Sequence, residues 1–403
     1  MTAPDMEALQ FRHEIGRYLL ARTLYGTARG LWSARVAPLH HVRLERPSPR
    51  HPGWLRLRIR LSGICGSDLN LVLARDSLYL EPEATYPFVP GHEIVADREG
   101  DGGEGRVAVW PVMGCRVREG PLCPACSAGW DGLCEARGDT FPGRGLAIGF
   151  SRETGGGWSE YCLAHRSQLW PLPEAVSDED ALLLDPATTA LAALLRPGPP
   201  APGRTLVIGG GTIGLLTAVL HRALRLPGEC ELVVRYAAQR EWAEARSLEA
   251  TVVRSDAEFR AWAAERGMPS RKVTGYGHVF RGVFDRVIET AGTNQALRWA
   301  MAGVRPRGSL VLATAPASLA GLDPTVLWYR EISCRGINQY GPVPWEGQPV
   351  HPYAVLLPML ERGEVRFRDF VTHVFQLGDY VAAFDALVRR RKTGAIKVAF
   401  RPS

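Results

Sequence analysis

Hydrophobic and polar positions along this chain follow two different rhythms. From residue 31 to about 110 they alternate with a period of two, most clearly in RLRIRLSGI (56–64) and GRVAVW (105–110), with Gly/Pro turns between them. Such alternation predicts strands with one buried face. From 204 to 315, short β runs take turns with helical patterns: RTLVIG, a helix from Ile213 to Leu224, ELVVRY, a helix through REWAEARSLEA, then TVVRS, FDRVIETAG and GSLVLAT. Elements of this length in alternation predict a parallel sheet covered by helices on both faces, an α/β architecture. Between the two regions PLPEAVSDEDALLLDPATTALAALL reads as helical, and the spacer RPGPPAPG marks a domain boundary. At the N-terminus, MEALQFRHEIGRYLLARTL is expected to form one amphipathic helix, an added arm over 1–30. The stretch 256–281 reads as an irregular insert. Past about residue 340 the pattern is mixed again and closes in a helix through DYVAAFDALVRRR and a strand IKVAF. The expected domains are therefore the arm (1–30), a mostly-β domain (31–195), a doubly wound domain (196–338) and a C-terminal return to the first domain (339–403).

Size and composition narrow the picture. A chain of 403 residues and 44.2 kDa can hold two domains, and 46% hydrophobic with 22% charged residues is the make-up of a globular protein. The formal charge of +6 would suit nucleic acid, but only three of the 48 basic residues are lysines (Lys272, Lys392 and Lys397) and the arginines are scattered. The densest run, Arg389 to Lys392, closes a helix, where cations suit the helix dipole. No nucleic-acid partner is expected. There is no secretory apolar region and no run near the ~18 apolar residues a membrane span needs, so no membrane partner is expected either.

Half of the eight cysteines lie in GCRVREGPLCPACSAGWDGLCEARG, a Gly/Pro-rich loop segment. Cys115, Cys123, Cys126 and Cys134 offer four soft thiolates, two of them from one CxxC turn, as a tetrahedral zinc site requires. Reduced core cysteines or a disulfide framework are the alternatives, but neither calls for this clustering. A four-thiolate site has no open position, so it staples a lobe (about 115–135) and catalyses nothing. Its need for free thiols makes the cytoplasm the expected compartment.

Gly209, Gly211 and Gly214 in VIGGGTIGLLTAVL form G-x-G-x-x-G directly after a strand pattern and at the start of a helix. This is the setting of a dinucleotide site, in which the pyrophosphate sits on the helix N-terminus. Gly209, Gly211, Thr212, Ile213 and Gly214 are the expected contacts. Where an NAD site places Asp or Glu at the end of the second strand, this chain has CELVVRYAAQR. Arg235, Tyr236 and Arg240 occupy the region, and arginine suits a 2′-phosphate, so NADP is expected over NAD.

Upstream, GICGSDLN (63–70) and VPGHEIVA (89–96) supply Cys65, His92 and Glu93, the ligand types of a zinc held for Lewis-acid work. These two segments, the cysteine lobe and the βαβ region come in the order of the zinc-dependent medium-chain dehydrogenase/reductase family. The chain resembles that family from about residue 36 to its end, and most of all the branch of threonine, sorbitol and glucose dehydrogenases. The resemblance implies a Rossmann domain joined to a GroES-like catalytic domain, two zinc ions per chain and an NAD(P)-linked alcohol–carbonyl interconversion. It makes Cys65 and His92 ligands of the catalytic zinc, Glu93 a ligand or near-ligand, and Ser67 the hydroxyl that takes the alcohol proton. Asp185, in LLLDPATTA, takes the position of the branch's glutamate. A small alcohol or carbonyl substrate and a homodimer or homotetramer are expected.

Three departures from the family pattern stand out. Gly120 occupies the usual place of the first lobe cysteine, so Cys115 must reach in from further back. Asp185 is one methylene shorter than the usual glutamate. Asn70 stands where a histidine often follows, and it cannot titrate, leaving Ser67, water or the cofactor ribose as the proton's exit. Two other readings keep the same fold: zinc-assisted reduction of an activated C=C or C=N bond, and a non-catalytic nucleotide-binding protein.

Overall fold

The computed structural model describes residues 5–25, 33–99, 105–118, 120–198, 203–314 and 322–402. They fall into two compact units, one of residues 1–185, 340–342 and 353–403, the other of 186–339 and 343–352. The chain thus leaves the first unit after Asp185, ahead of the proline-rich spacer. Residues 199–202 of that spacer lie outside the described residues.

The first unit is built on a seven-stranded sheet. Its strands run in the order Val371–Phe375, Lys397–Phe400, Trp54–Gly63, Ile94–Arg98, Arg106–Val109 and Leu169–Pro171, with Tyr161–His165 also paired to Trp54–Gly63. The central strand, WLRLRIRLSG, shows why period-two alternation works. Leu57, Ile59 and Leu61 are buried, while Arg56, Arg58 and Arg60 point outward and pair with Glu99, Asp97 and Asp178. A core of Leu57, Ile59, Ile94, Val107 and Val109 fills the inner face.

The second unit carries a six-stranded parallel sheet in the order Glu249–Val252, Glu229–Val234, Arg204–Ile208, Phe284–Glu289, Val304–Leu312, Ser333–Gly336. Numbered along the chain this is 3-2-1-4-5-6, the doubly wound Rossmann order. The molecule is therefore a Rossmann unit plus a mostly-β GroES-like unit.

Three expectations are corrected. The N-terminal segment is not one helix. Residues Asp5–Phe11 form a strand, antiparallel to Leu39–Glu45, and only Ile15–Tyr25 is helical. Burial of Met6, Ala8, Leu9 and Phe11 and a full ladder of backbone bonds outweigh the helical pattern there. The 256–281 stretch is likewise ordered. Ser255 caps a helix Asp256–Glu265 that buries Phe259 and Trp262, and an antiparallel hairpin, Ser270–Val273 with Gly277–Phe280, follows. The helix foreseen through 240–250 ends at Glu244, because Ser247 takes a positive φ of 56° and the chain turns into the next strand.

Candidate active site

The reactive cluster grows from the end of the central strand of the first unit. Cys65, in extended conformation, caps the helix Gly66–Val72, and the Asp68 carboxylate accepts its backbone N–H at 2.8 Å. The other Asp68 oxygen stands 3.5 Å from His92 Nδ1. His92 and Glu93 lie just before the strand Ile94–Arg98, after a turn that Gly91 makes with φ 93°. A Cβ at Gly91 would meet the Trp158 ring at 2.4 Å, and one at Gly63 would lie 1.8 Å from a Glu93 oxygen. Glycine at both positions is what lets these groups converge.

One ligand atom each from Cys65, His92 and Glu93 lies within 4.8 Å of the others. A thiolate, an imidazole and a carboxylate with a further position open is a donor set that fits a catalytic zinc. Burial alone would lower the His92 pKa, but the Asp68 carboxylate and the Cys65 thiolate more than offset it and hold it well above the ordinary value. Asp68 approaches the ring on its Nδ1 side, which leaves Nε2 for a metal. Glu93 is fully buried, and Lys397 Nζ donates to both of its oxygens at 2.6 Å and to the Ile64 carbonyl at 3.2 Å. A buried ion pair of this kind survives its desolvation cost only when its hydrogen bonds are filled, and here the ammonium finds three acceptors.

Asp185, at the start of the helix Leu184–Leu195, stands outside that trio. Burial pushes its carboxyl up to about 7, and the Tyr340 hydroxyl bonds it. Tyr340 is itself buried, edge-on to Trp110 with ring centroids 5.1 Å apart. Ser67 is exposed in the first turn of the helix that Cys65 caps, and Asn70 follows on the same helix.

In the lobe, Cys115 opens a short 3₁₀ turn, Cys123 caps the turn Pro124–Ser127 that carries Cys126, and Cys134 closes the set. Their sulfurs lie within 4.8 Å of one another, and Cys115 and Cys134 are 3.6 Å apart. Zn–S bonds of ~2.3 Å make a tetrahedron with edges of about 3.8 Å, so the four thiolates fit a structural zinc. All eight cysteines of the chain are free. The Cys115 N–H points at Cys126 Sγ and the Cys123 N–H at Cys115 Sγ, each at 3.4 Å. Gly120 is exposed.

In the second unit, Gly209 (φ 129°) turns the chain out of the strand Arg204–Ile208, and Gly211 caps the helix Thr212–Ala223 with no capping side chain. A Cβ on Gly214 would fall 1.9 Å from the Gly209 carbonyl oxygen. This close strand–turn–helix packing, with Thr212 and Ile213 in the helix's first turn, fits a dinucleotide pyrophosphate. At the end of the second strand Arg235 is exposed and Tyr236 half-buried, and the exposed Arg240 pairs with Glu244 at 3.5 Å.

Four residues that hold these sites escaped the sequence reading: Asp68, Lys397, Tyr340 and Gln239, whose Oε1 accepts the N–H groups of Arg235 and Tyr236 at 3.1 Å. Lys397 had a signal. It is one of only three lysines in an arginine-rich chain and sits between Ile396 and Val398 in an apolar strand.

A GroES-like domain, a Rossmann unit with a glycine-rich turn and two zinc-type donor sets define a zinc- and nicotinamide-linked oxidoreductase. The family model described as the alcohol dehydrogenase GroES-like domain matches residues 51–174. D-arabinitol dehydrogenase 1 of Uromyces fabae is 25% identical over 96% of this chain and 100% of its own length. (R,R)-butanediol dehydrogenase of Bacillus subtilis is 26% identical over 89% of this chain and 95% of its own. Among solved structures, acetophenone reductase from Geotrichum candidum in complex with NAD superposes with a TM-score of 0.71 at 17% identity, covering 100% of this chain and 98% of that one. The chain carries the alcohol dehydrogenase GroES-like domain over residues 51–174 and is similar along most of its length to zinc-type, polyol and butanediol dehydrogenases. It is an enzyme that interconverts alcohols and carbonyl compounds with zinc and NAD(P). No helix among its described residues is long and apolar enough to cross a membrane.

Proposed function

We propose that this enzyme oxidises a secondary alcohol bearing a neighbouring hydroxyl, or reduces the matching ketone, at Cys65, His92 and Glu93 with NADP as the preferred cofactor. The observation that carries the reading is the convergence of those three ligand atoms within 4.8 Å. The similarity to D-arabinitol and (R,R)-butanediol dehydrogenases supports a polyol-type substrate. When bound, zinc supplies a Lewis acid that lowers the pKa of the substrate hydroxyl, and NADP supplies the hydride acceptor. Asp68 faces the Nδ1 side of the His92 ring, and Lys397 fixes the Glu93 carboxylate. Ser67, exposed on the first turn of its helix, carries the alcohol proton out to solvent, and Asp185, held by Tyr340, lies beside the reacting group as a second carboxylate. Cys115, Cys123, Cys126 and Cys134 hold the structural zinc.

The NADP preference rests on Arg235, exposed at the end of the strand Glu229–Val234 where an NAD site carries a carboxylate. The edge strand Ser333–Gly336 is exposed at all four residues, and Trp328 and Tyr329 nearby are each 72% exposed, which supports a homodimer through this edge. Free thiols suit the cytoplasm. The test is a turnover screen of sugar alcohols, cyclitols and vicinal diols with NADP and NAD, on wild-type protein and on Arg235→Ala/Arg240→Ala. Charge-assisted hydrogen bonds of ~1.5–3 kcal/mol predict that the double variant shifts the NADP:NAD preference about tenfold or more toward NAD. Wild-type turnover with NAD equal to that with NADP contradicts the cofactor assignment.

A further inference from the structure

The connection between the strands Asp5–Phe11 and Leu39–Glu45 carries the helix Ile15–Tyr25, and both helix and strand reach the segment that joins the two catalytic motifs. That segment runs from the end of the Cys65-capped helix at Val72 to Phe88, just before the His92–Glu93 turn. Near its start, the Tyr18 hydroxyl donates to Asp76 Oδ1 at 2.8 Å. Ala21, one turn along the helix, is fully buried in a core shared with Leu71 and Val72. At its end, Phe11 and Phe88 exchange both backbone bonds, at 2.8 and 3.1 Å, with their rings 5.6 Å apart. Phe88 packs on Phe150 at 5.9 Å, and Phe150 on the His92 ring at 5.6 Å.

We infer that the N-terminal strand and helix clamp both ends of the 73–88 segment, and that Tyr18 is a positioning residue for the substrate side of the reactive site. This rests on the reading of Cys65 and His92 as the reactive pair. The segment's length is set by its two anchors, so its first anchor decides how far it can swing from the ligands at either end. Tyr18 and Asp76 are both half-buried, and burial raises the pKa of each, so the phenol stays a donor throughout the neutral range. A phenol–carboxylate bond shielded from water is stronger than an exposed one.

Amide hydrogen exchange on the full-length protein reads the clamp without reference to turnover. In Tyr18→Phe the exchange of amides in 75–86 is expected to rise about tenfold or more, the worth of one hydrogen bond to a charged acceptor. Asp76→Asn keeps an oxygen acceptor and retains most of the protection. Asp76→Ala matches Tyr18→Phe, and the two together add nothing further, as a shared bond requires. The KM for the alcohol rises about threefold while kcat holds, the pattern of lost uniform binding. Unchanged exchange in Tyr18→Phe overturns the clamp, and raised exchange with an unaltered KM overturns the positioning role. Cys65→Ser leaves exchange in 75–86 at the wild-type rate, so normal turnover in that variant would overturn the zinc reading separately.

Discussion

Glu93 and Lys397 show how one pair of residues ties metal chemistry to folding. Both are buried, and each supplies most of the other's polar contacts. Replacing Lys397 by Met leaves the Glu93 carboxylate in the core without its cation, which costs about 3–5 kcal/mol. The expected outcome is a clearly lower denaturant midpoint for Lys397→Met, with most of the loss restored in Lys397→Arg. A Lys397→Met protein as stable as wild type would mean that Glu93 finds its partner elsewhere. Such pairs are hard to read in a sequence, because the two residues lie hundreds of positions apart and only the sheet brings them together. His92 and Cys65 could be named because their motifs are local and chemically specific. Asp68 and Tyr340 act through other residues and have no motif of their own.

At the level of elements, the lobe is the sharpest case. Cys115 enters the four-sulfur group from a 3₁₀ turn, with its sulfur 3.6 Å from that of Cys134. A structural zinc contributes its binding free energy to folding, so Cys115→Ser is expected to remove one zinc per chain and lower the melting temperature by about 10 °C. Metal analysis beside a thermal melt checks both, and an unchanged zinc content would show that another group completes the tetrahedron. Although the helix ending at Glu244 was read on to 250, the strands Arg204–Ile208 and Glu229–Val234 and the helix Thr212–Ala223 were legible, because each follows its period cleanly. The N-terminal segment was not. DMEALQF carries apolar residues at spacings that suit a helix or a strand, and the partner that decides between them, Leu39–Glu45, lies beyond an intervening helix. The 256–281 stretch misled for a related reason: its hairpin is exposed and polar, so it has no apolar alternation to show.

For the whole molecule, the account gives the two zinc-type donor sets opposite roles. The lobe, closed by four thiolates, stabilises, whereas the Cys65–His92–Glu93 cluster keeps a position for substrate. That division was visible in the sequence as two separate clusters of soft ligands, and the Rossmann order 3-2-1-4-5-6 supplies the place for a dinucleotide. Substrate identity was not visible, because the course of loops such as 73–88 is set by distant anchors like Tyr18. The most direct measurement pairs zinc per chain with NAD(P)H formation in wild type and Cys65→Ser. The account predicts two zinc ions and turnover in the wild type, matching the two donor sets. In Cys65→Ser it predicts a folded protein that keeps the lobe zinc, with kcat/KM lowered about a thousandfold or more for want of the Lewis acid. A Cys65→Ser protein that turns over alcohol at the wild-type rate would contradict it.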